Sequence, residues 1–233
     1  MNKRIQTVLG SILGVTFLFS NALSVGAHPA KQNNVLKSEY HSVYGGYYVG
    51  GESVGWSIDE NNHNGSPYLY YTWKSGDACL TAARKNNFIA AAAKWSPCGN
   101  ISYDPSGGGN TYQAGKLGTF NPGPGSGTVA QFYGYSSDAQ GHLYYWKIDM
   151  NWTKSYSNAD WAEILAHEFG HAFGLNDLYN SSNSNKLMYG YTNGTATRPT
   201  ATDIKGFNVI TGKHTTHSFN TSGVCTGCGG LKK

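Results

Sequence analysis

Two histidines, spaced one helical turn apart, constrain this sequence more than any other feature. His167 and His171 are four residues apart, with Glu168 directly after the first. In an α-helix, side chains at that spacing lie on the same face, so both imidazoles can bind a single metal ion. Glu168 points elsewhere on such a helix and would not complete the ligand set. The spacing therefore predicts a helix that carries a two-histidine metal site.

The third metal ligand has to come from outside that helix. A catalytic zinc site takes three protein ligands and leaves one position open. Gly174 follows the second histidine by three residues and can adopt a positive φ, which lets the chain turn sharply out of the helix. Asp177 lies beyond the turn, six residues after His171, where its carboxylate can reach the ion. We therefore expect one catalytic Zn²⁺, with Glu168 as the general base.

The same residues resemble a known family. The string from His167 to Asp177 is similar to the zinc-binding consensus of the metzincin metallopeptidases, with aspartate as third ligand, as in snapalysins. The segment Leu187-Met188-Tyr189-Gly190-Tyr191 resembles the family's Met-turn, and residues 202–207 are similar to the final helix of the matrixins. The resemblance covers about residues 67–212. The roles it implies are zinc ligands for His167, His171 and Asp177, general base for Glu168, and hydrophobic support beneath the site for Met188.

The resemblance implies an α+β fold of the metzincin type. It consists of a twisted mixed sheet with two long helices, then a small irregular C-terminal subdomain with the Met-turn and a final helix. The residue pattern agrees with this fold. Residues 78–95 are alanine-rich and contain no Gly or Pro, which predicts the first long helix. Residues 143–151 alternate between apolar and polar side chains, which predicts a half-buried strand.

The substrate-binding residues are also inferred from the resemblance. It identifies residues 143–151 with the family's edge strand, which binds an extended peptide by strand addition. Astacin- and serralysin-like members carry a tyrosine two residues after the methionine, where this chain has Gly190. We therefore expect no tyrosine at the metal from the Met-turn. The candidate substrate-binding or pocket residues are Tyr145, Lys147, Tyr189 and Tyr191.

The first 27 residues have the pattern of a secretory signal. Lys3 and Arg4 precede an apolar stretch over residues 5–19, and Val25-Gly26-Ala27 offers a cleavage site of small residues. The apolar stretch is shorter than the ~20 residues that span a bilayer, so we expect a secreted, extracellular product with no membrane attachment. Two of the 17 basic residues lie in this segment, which leaves 15 against 13 acidic residues. That balance gives no electrostatic case for a nucleic-acid partner.

The sequence divides into four predicted parts. Residues 1–27 form the signal, residues 28–66 a polar N-terminal extension or short propeptide, residues 67–212 the zinc metallopeptidase domain, and residues 213–233 a cysteine-containing tail. Cys79 and Cys98 flank the first predicted helix, whose ends lie ~24 Å apart at 1.5 Å per residue. A disulfide requires Cα atoms ~5.5 Å apart, so these two cysteines should not pair with each other. The spacing of Cys225 and Cys228 favours a structural disulfide in the tail over half a zinc ribbon or a redox motif.

The leading hypothesis for function is a secreted, monomeric zinc endopeptidase that acts on polypeptides. One alternative is a zinc hydrolase acting on cell-wall peptides. Another is a non-catalytic wall-binding module, although such a module would have no use for Glu168. Calcium is a further candidate ion, at residues Asp59, Glu60, Asn61 and Asn64. Their spacing matches no known calcium loop and favours a solvated turn.

Overall fold

The computed structural model describes most of the chain between residues 50 and 212 and two short strands before it. The described ranges are 40–41, 47–48, 50–59, 62–64, 66–96, 98–106, 114–123, 125–136 and 143–212. The predicted signal, the predicted tail with Cys225 and Cys228, and the calcium candidates Glu60 and Asn61 lie outside them. Within these ranges, none of the helices is long and apolar enough to cross a bilayer.

The described residues form nine strands and three helices, with single 3-10 turns at Glu52–Val54 and Ser181–Asn183. The strands are β1 (Tyr40–His41), β2 (Tyr47–Tyr48), β3 (Gly50–Gly51), β4 (Trp56–Ser57), β5 (Tyr68–Trp73), β6 (Asn100–Tyr103), β7 (Gly115–Phe120), β8 (Ala130–Ser136) and β9 (Leu143–Asn151). The helices are α1 (Ala82–Lys94), α2 (Asn158–Phe173) and α3 (Ala201–Gly212).

Five strands form one mixed sheet in the order β6-β5-β7-β9-β8. The first four strands in this order run parallel to one another, and β8 pairs antiparallel with β9. This mixed sheet with long helices confirms the predicted α+β class. The prediction that residues 143–151 form the edge strand is wrong, because β9 lies between β7 and β8. The alternation of apolar and polar residues in β9 indicates which side chains are buried, but not which strands pair with it. The free edge on this side of the sheet belongs to β8.

Both long helices begin and end at residues that satisfy their free backbone groups. The Thr81 side chain accepts from Arg84 N at the start of α1, and the Ser157 side chain accepts from Asp160 N, 3.1 Å away, at the start of α2. α2 ends at Gly174, whose φ of 115° is the left-handed conformation that the sequence predicts there. Within the described ranges, Cys79 and Cys98, on either side of α1, form no disulfide with each other. That these two cysteines do not pair stays a prediction.

The core lies between the sheet and the two long helices. Trp95 Nε1 donates to the carbonyl of Ala166, 2.8 Å away, which joins the end of α1 to the middle of α2. Trp146 of β9 contacts Phe169 of α2 edge-to-face, with ring centroids 6.3 Å apart. Ile148 and Met150, on the same side of β9, are fully buried. The alternate residues of β9 therefore lie on the face of the sheet away from α2.

The segment before β5 packs along the end of α2. Asp59 N donates to Gly174 O at 2.7 Å, and Asn176 N donates to Ser57 O at 2.9 Å. Further along, the Asp59 carboxylate accepts from Asn62 N and Nδ2, so it serves a local turn. Residues 50–59 and 62–64 thus contact the chain that leaves α2, although their polar sequence assigns them to the extension before residue 67. Several of these contacts are hydrogen bonds between backbone groups, which hydrophobic patterning does not report.

Candidate metal centre

α2 and the turn after it bring the three predicted ligands together. His167 Nε2 and His171 Nε2 lie 3.1 Å apart on one face of the helix. Asp177 Oδ1 lies 2.9 Å from the Nε2 of His167 and 3.5 Å from that of His171. Gly174 ends the helix in the left-handed conformation, and the chain then returns towards the histidines. Ligand atoms from three side chains therefore converge on one point.

Backbone carbonyls set the orientation of both imidazoles. His167 Nδ1 lies 2.8 Å from Leu187 O, and His171 Nδ1 lies 2.7 Å from Leu175 O. A carbonyl only accepts, so each Nδ1 carries the hydrogen and donates it. In the neutral ring this leaves Nε2 with a free lone pair, directed towards Asp177. Both histidines are thus held in the tautomer that binds a metal through Nε2.

The donor set fits a zinc ion. Asp177 Oδ1 is buried and receives no hydrogen bond, although His167 Nε2 is only 2.9 Å away. Burial opposes charge on His171, but the Asp177 carboxylate outweighs it and raises the pKa of His171 to about 9. Burial likewise disfavours the Asp177 carboxylate, yet His171 and His167 hold its pKa well below the usual range. The three groups therefore stabilise a cation among them, and two imidazoles with one carboxylate are ligands that zinc takes.

Glu168 lies beside this group without joining it. Its side chain is 9 % exposed, and burial raises the pKa of the carboxyl group, with His171 and His167 acting in the opposite direction. The backbone N–H of Phe132, in the edge strand β8, faces the same carboxyl group. The Phe132 ring lies 6.0 Å from the ring of His171. Glu168 is thus placed between the ligand group and the free edge of the sheet.

Tyr179 is a site residue that the sequence analysis missed. Its hydroxyl donates to Asp177 Oδ2 at 2.9 Å, which leaves Oδ1 directed at the histidines. Burial, followed by the charge of Asp177, raises the pKa of Tyr179, so the phenol remains a donor at neutral pH. Its only sequence signal is a position two residues after Asp177. No spacing rule singles out that position.

Gly190 provides the space that Tyr179 occupies. A Cβ at residue 190 would lie 2.6 Å from Tyr179 Cε1 and 3.2 Å from Asp177 Cγ. The Met-turn has Gly190 where astacin-like members carry a tyrosine. Because Gly190 has no side chain, the ring of Tyr179, from another part of the chain, fits beside it.

Replacing Gly190 with alanine should therefore destabilise the protein. We expect a loss of about 1–3 kcal/mol in the free energy of unfolding, because the new methyl group displaces the Tyr179 ring. Urea unfolding of the metal-free protein measures this change. Gly127→Ala is the matched control, since a Cβ at residue 127 would have no atom within 4 Å. Equal stability of the two variants would contradict the proposed close packing of Gly190 against Tyr179.

The Met-turn lies beneath the histidine-bearing part of α2. A Cβ at Gly170 would lie 2.3 Å from Met188 Sδ, so the thioether packs directly against the helix between the two histidines. The fully buried carboxylate of Asp203, in α3, accepts from Leu187 N and Met188 N at 3.1 and 3.3 Å. α3 therefore holds the turn in place through a buried acceptor. Met188 thus lies against α2 between the two histidines.

The four predicted substrate-binding residues do not form one group. Tyr145 and Lys147 lie on the face of the sheet away from α2, where Lys147 Nζ is 3.2 Å from Asp149 Oδ2. Strand alternation places them there, so the structure does not bring them to the ligands. Tyr189 is buried. Tyr191 is 43 % exposed, and its ring lies 5.5 Å from that of Tyr179, which places it beside the site.

Comparison with protein families gives a match for the second half of the chain. The sequence model of the matrixin family matches residues 111–212. This segment runs from just before β7 to the end of α3 and contains all three candidate ligands. No curated protein matches the chain. This match, together with the mixed sheet and its helices, supports a matrixin-like protein of the metzincin type.

Proposed function

We propose that this chain is a zinc endopeptidase that hydrolyses peptide bonds of extracellular proteins. The observation that carries the proposal is the convergence of His167 Nε2, His171 Nε2 and Asp177 Oδ1 beside a buried glutamate outside the ligand set. The matrixin match supports zinc peptidase chemistry in general. Asp177 as third ligand is part of our proposal, supported by its position and its bond from Tyr179.

In this mechanism the three ligands hold the metal and Glu168 moves the proton. Zinc held by His167, His171 and Asp177 would supply Lewis acidity for the scissile carbonyl and would lower the pKa of water towards ~7. The Glu168 carboxylate accepts a proton from the attacking water and then gives it to the nitrogen of the leaving amine.

The free edge of β8 is the proposed binding surface for the polypeptide. An extended peptide can add to an exposed sheet edge through backbone hydrogen bonds. β8 is the edge strand on the side of β9, and Phe132 within it faces Glu168. A peptide aligned on this edge would pass close to both Glu168 and the ligand group. This geometry favours an extended polypeptide as substrate.

Export of the protein is also proposed. Residues 1–27 support it by their basic start, apolar stretch and small-residue cleavage site. The proposal is of a free, monomeric enzyme that meets its protein substrates outside the cell.

Metal removal tests the proposed activity. Purified protein run in a gel that contains a protein substrate should produce a cleared zone, because the substrate is degraded where the enzyme stops. Dialysis against EDTA should abolish clearing, and added zinc should restore it. EDTA saturated with zinc beforehand is the matched control and should leave clearing intact. Clearing by protein shown to be metal-free would contradict the proposal.

A further inference from the structure

Glu52 makes a cluster of contacts far from its own part of the sequence. Its carboxylate accepts from Tyr179 N at 2.5 Å, from Asn180 N at 3.1 Å and from Asn183 Nδ2 at 2.7 Å. The same Nδ2 group also donates to the main-chain oxygen of Glu52, 2.9 Å away. All three donor residues lie in the segment that directly follows Asp177. Both carboxylate oxygens of Glu52 are therefore used to hold this segment.

Two hydrogen bonds in series connect Glu52 to Asp177, and Tyr179 takes part in both. Glu52 Oε1 fixes the backbone of Tyr179, and the hydroxyl of Tyr179 donates to Asp177 Oδ2. The other oxygen, Asp177 Oδ1, then points at His167 Nε2. Residues 177–190 contain no long helix or strand, only a 3-10 turn and an isolated bridge between Leu178 and Tyr189. Besides a few backbone hydrogen bonds within the segment, the bonds from Glu52 therefore help to fix the orientation of the third ligand.

Glu52 lies in a short hairpin that packs against α3. Glu52 begins the 3-10 turn between β3 and β4, which pair as a short antiparallel hairpin. Gly50 and Gly55 hold positive φ values of 79° and 75°, which the tight turn requires. Trp56 is buried and lies against Gly206 of α3, where an added Cβ would come within 3.1 Å of it. The hairpin therefore links α3 to the ligand segment.

We infer that Glu52 is a positioning residue of the metal centre, which orients Asp177 through Tyr179. The inference rests on the proposed function only in taking Asp177 as a zinc ligand. It also extends the metal-binding unit to the hairpin at residues 50–57, outside the domain that the sequence predicts from residue 67. Any proteolytic maturation that preserves zinc affinity must then cut before Gly50.

Zinc affinity of the purified full chain tests this inference. Glu52→Gln keeps the shape of the side chain but turns one acceptor oxygen into an NH₂ group that faces N–H donors. We expect about tenfold weaker zinc binding, in line with outer hydrogen-bond partners of metal ligands, by competition against a chromogenic chelator. Glu163→Gln, a glutamate of α2 outside the ligand group, is the matched control and should bind zinc like the unsubstituted protein.

Circular dichroism and urea unfolding of each metal-free variant separate positioning from general stability. Weaker zinc binding by a fully folded Glu52→Gln protein supports the inference, and unchanged affinity overturns it. If Glu52→Gln fails to fold, Asn183→Ala removes one donor to the same carboxylate and should weaken zinc binding by a smaller factor. A folded Asn183→Ala protein with unchanged affinity would then overturn the inference. Failure of the unsubstituted chain to bind zinc would instead overturn the proposed function.

A double-substitution cycle tests the route through Tyr179. Tyr179→Phe removes the hydroxyl that holds Asp177 Oδ2, and roughly 10–100-fold weaker zinc binding is expected. If Glu52 acts through this hydroxyl, adding Glu52→Gln to Tyr179→Phe should weaken binding by much less than Glu52→Gln does alone. If the loss of zinc affinity in the double variant equals the product of the two single-variant losses, Glu52 acts by another route. That result would overturn the inference as stated.

Discussion

Replacing Glu168 with glutamine is expected to lower kcat on a protein substrate by roughly 10²–10⁴-fold, the usual contribution of a positioned general base. Glutamine keeps the size of the side chain and its buried position but cannot take up a proton. Because Glu168 lies outside the ligand group, the variant should still bind one zinc ion. Cleavage rates of an internally quenched peptide, together with zinc content by elemental mass spectrometry, measure both properties.

Glu163→Gln is the control for this experiment. Glu163 lies on the same helix, one and a half turns before Glu168, and has no part in the ligand group. Its substitution should leave both the rate and the zinc content unchanged. A zinc-loaded Glu168→Gln protein that retained the rate of the unsubstituted enzyme would exclude Glu168 as the general base. Loss of zinc from that variant would contradict its position outside the ligand set.

Asp177→Asn should have the largest effect on metal binding. The substitution keeps the side-chain shape and the bond from Tyr179 but removes the negative charge among the two imidazoles. We expect zinc affinity to fall by more than the roughly 10–100-fold that is typical of outer partners, because a direct ligand is lost. Chelator competition gives the affinity, and the same samples should lose peptidase activity.

Asp160→Asn is a suitable comparison for Asp177→Asn. Asp160 lies exposed in the first turn of α2, away from the ligand group. Its substitution should leave zinc affinity unaltered. Zinc binding by Asp177→Asn as tight as that of the unsubstituted chain would show that Asp177 is not a ligand, and would leave the assignment of the third position open to another residue.

Local spacing was sufficient to predict the histidine-bearing helix and the convergence of His167, His171 and Asp177. The interval between His167 and His171 equals one helical turn, and Gly174 supplies the left-handed residue at which the chain leaves the helix. Asp177 follows after a short, sterically defined turn. The spacing of apolar residues, helical in one segment and alternating in the other, also predicted α1 and β9. Each of these inferences needs only residues that are close in the sequence.

Contacts between distant parts of the chain explain what the sequence did not predict. The position of β9 inside the sheet depends on its pairing with β8, which hydrophobic alternation does not encode. Tyr179 reaches the site because Gly190, eleven residues later, leaves space for its ring. Glu52 meets its donors across more than 120 residues of sequence. Its polar, glycine-rich surroundings predict an extension rather than part of a metal centre.

X-ray absorption at the zinc edge tests the central claim most directly, because it reports which atoms bind the metal. For the zinc-loaded full chain, the account predicts two imidazoles and further oxygen at roughly 2.0–2.2 Å, with no sulfur. Asp177→Asn, loaded at high zinc concentration, should keep the imidazole signal with an altered oxygen shell. A sulfur neighbour at ~2.3 Å would place the zinc at cysteine instead and contradict the proposed site. A spectrum without two imidazoles would contradict it equally.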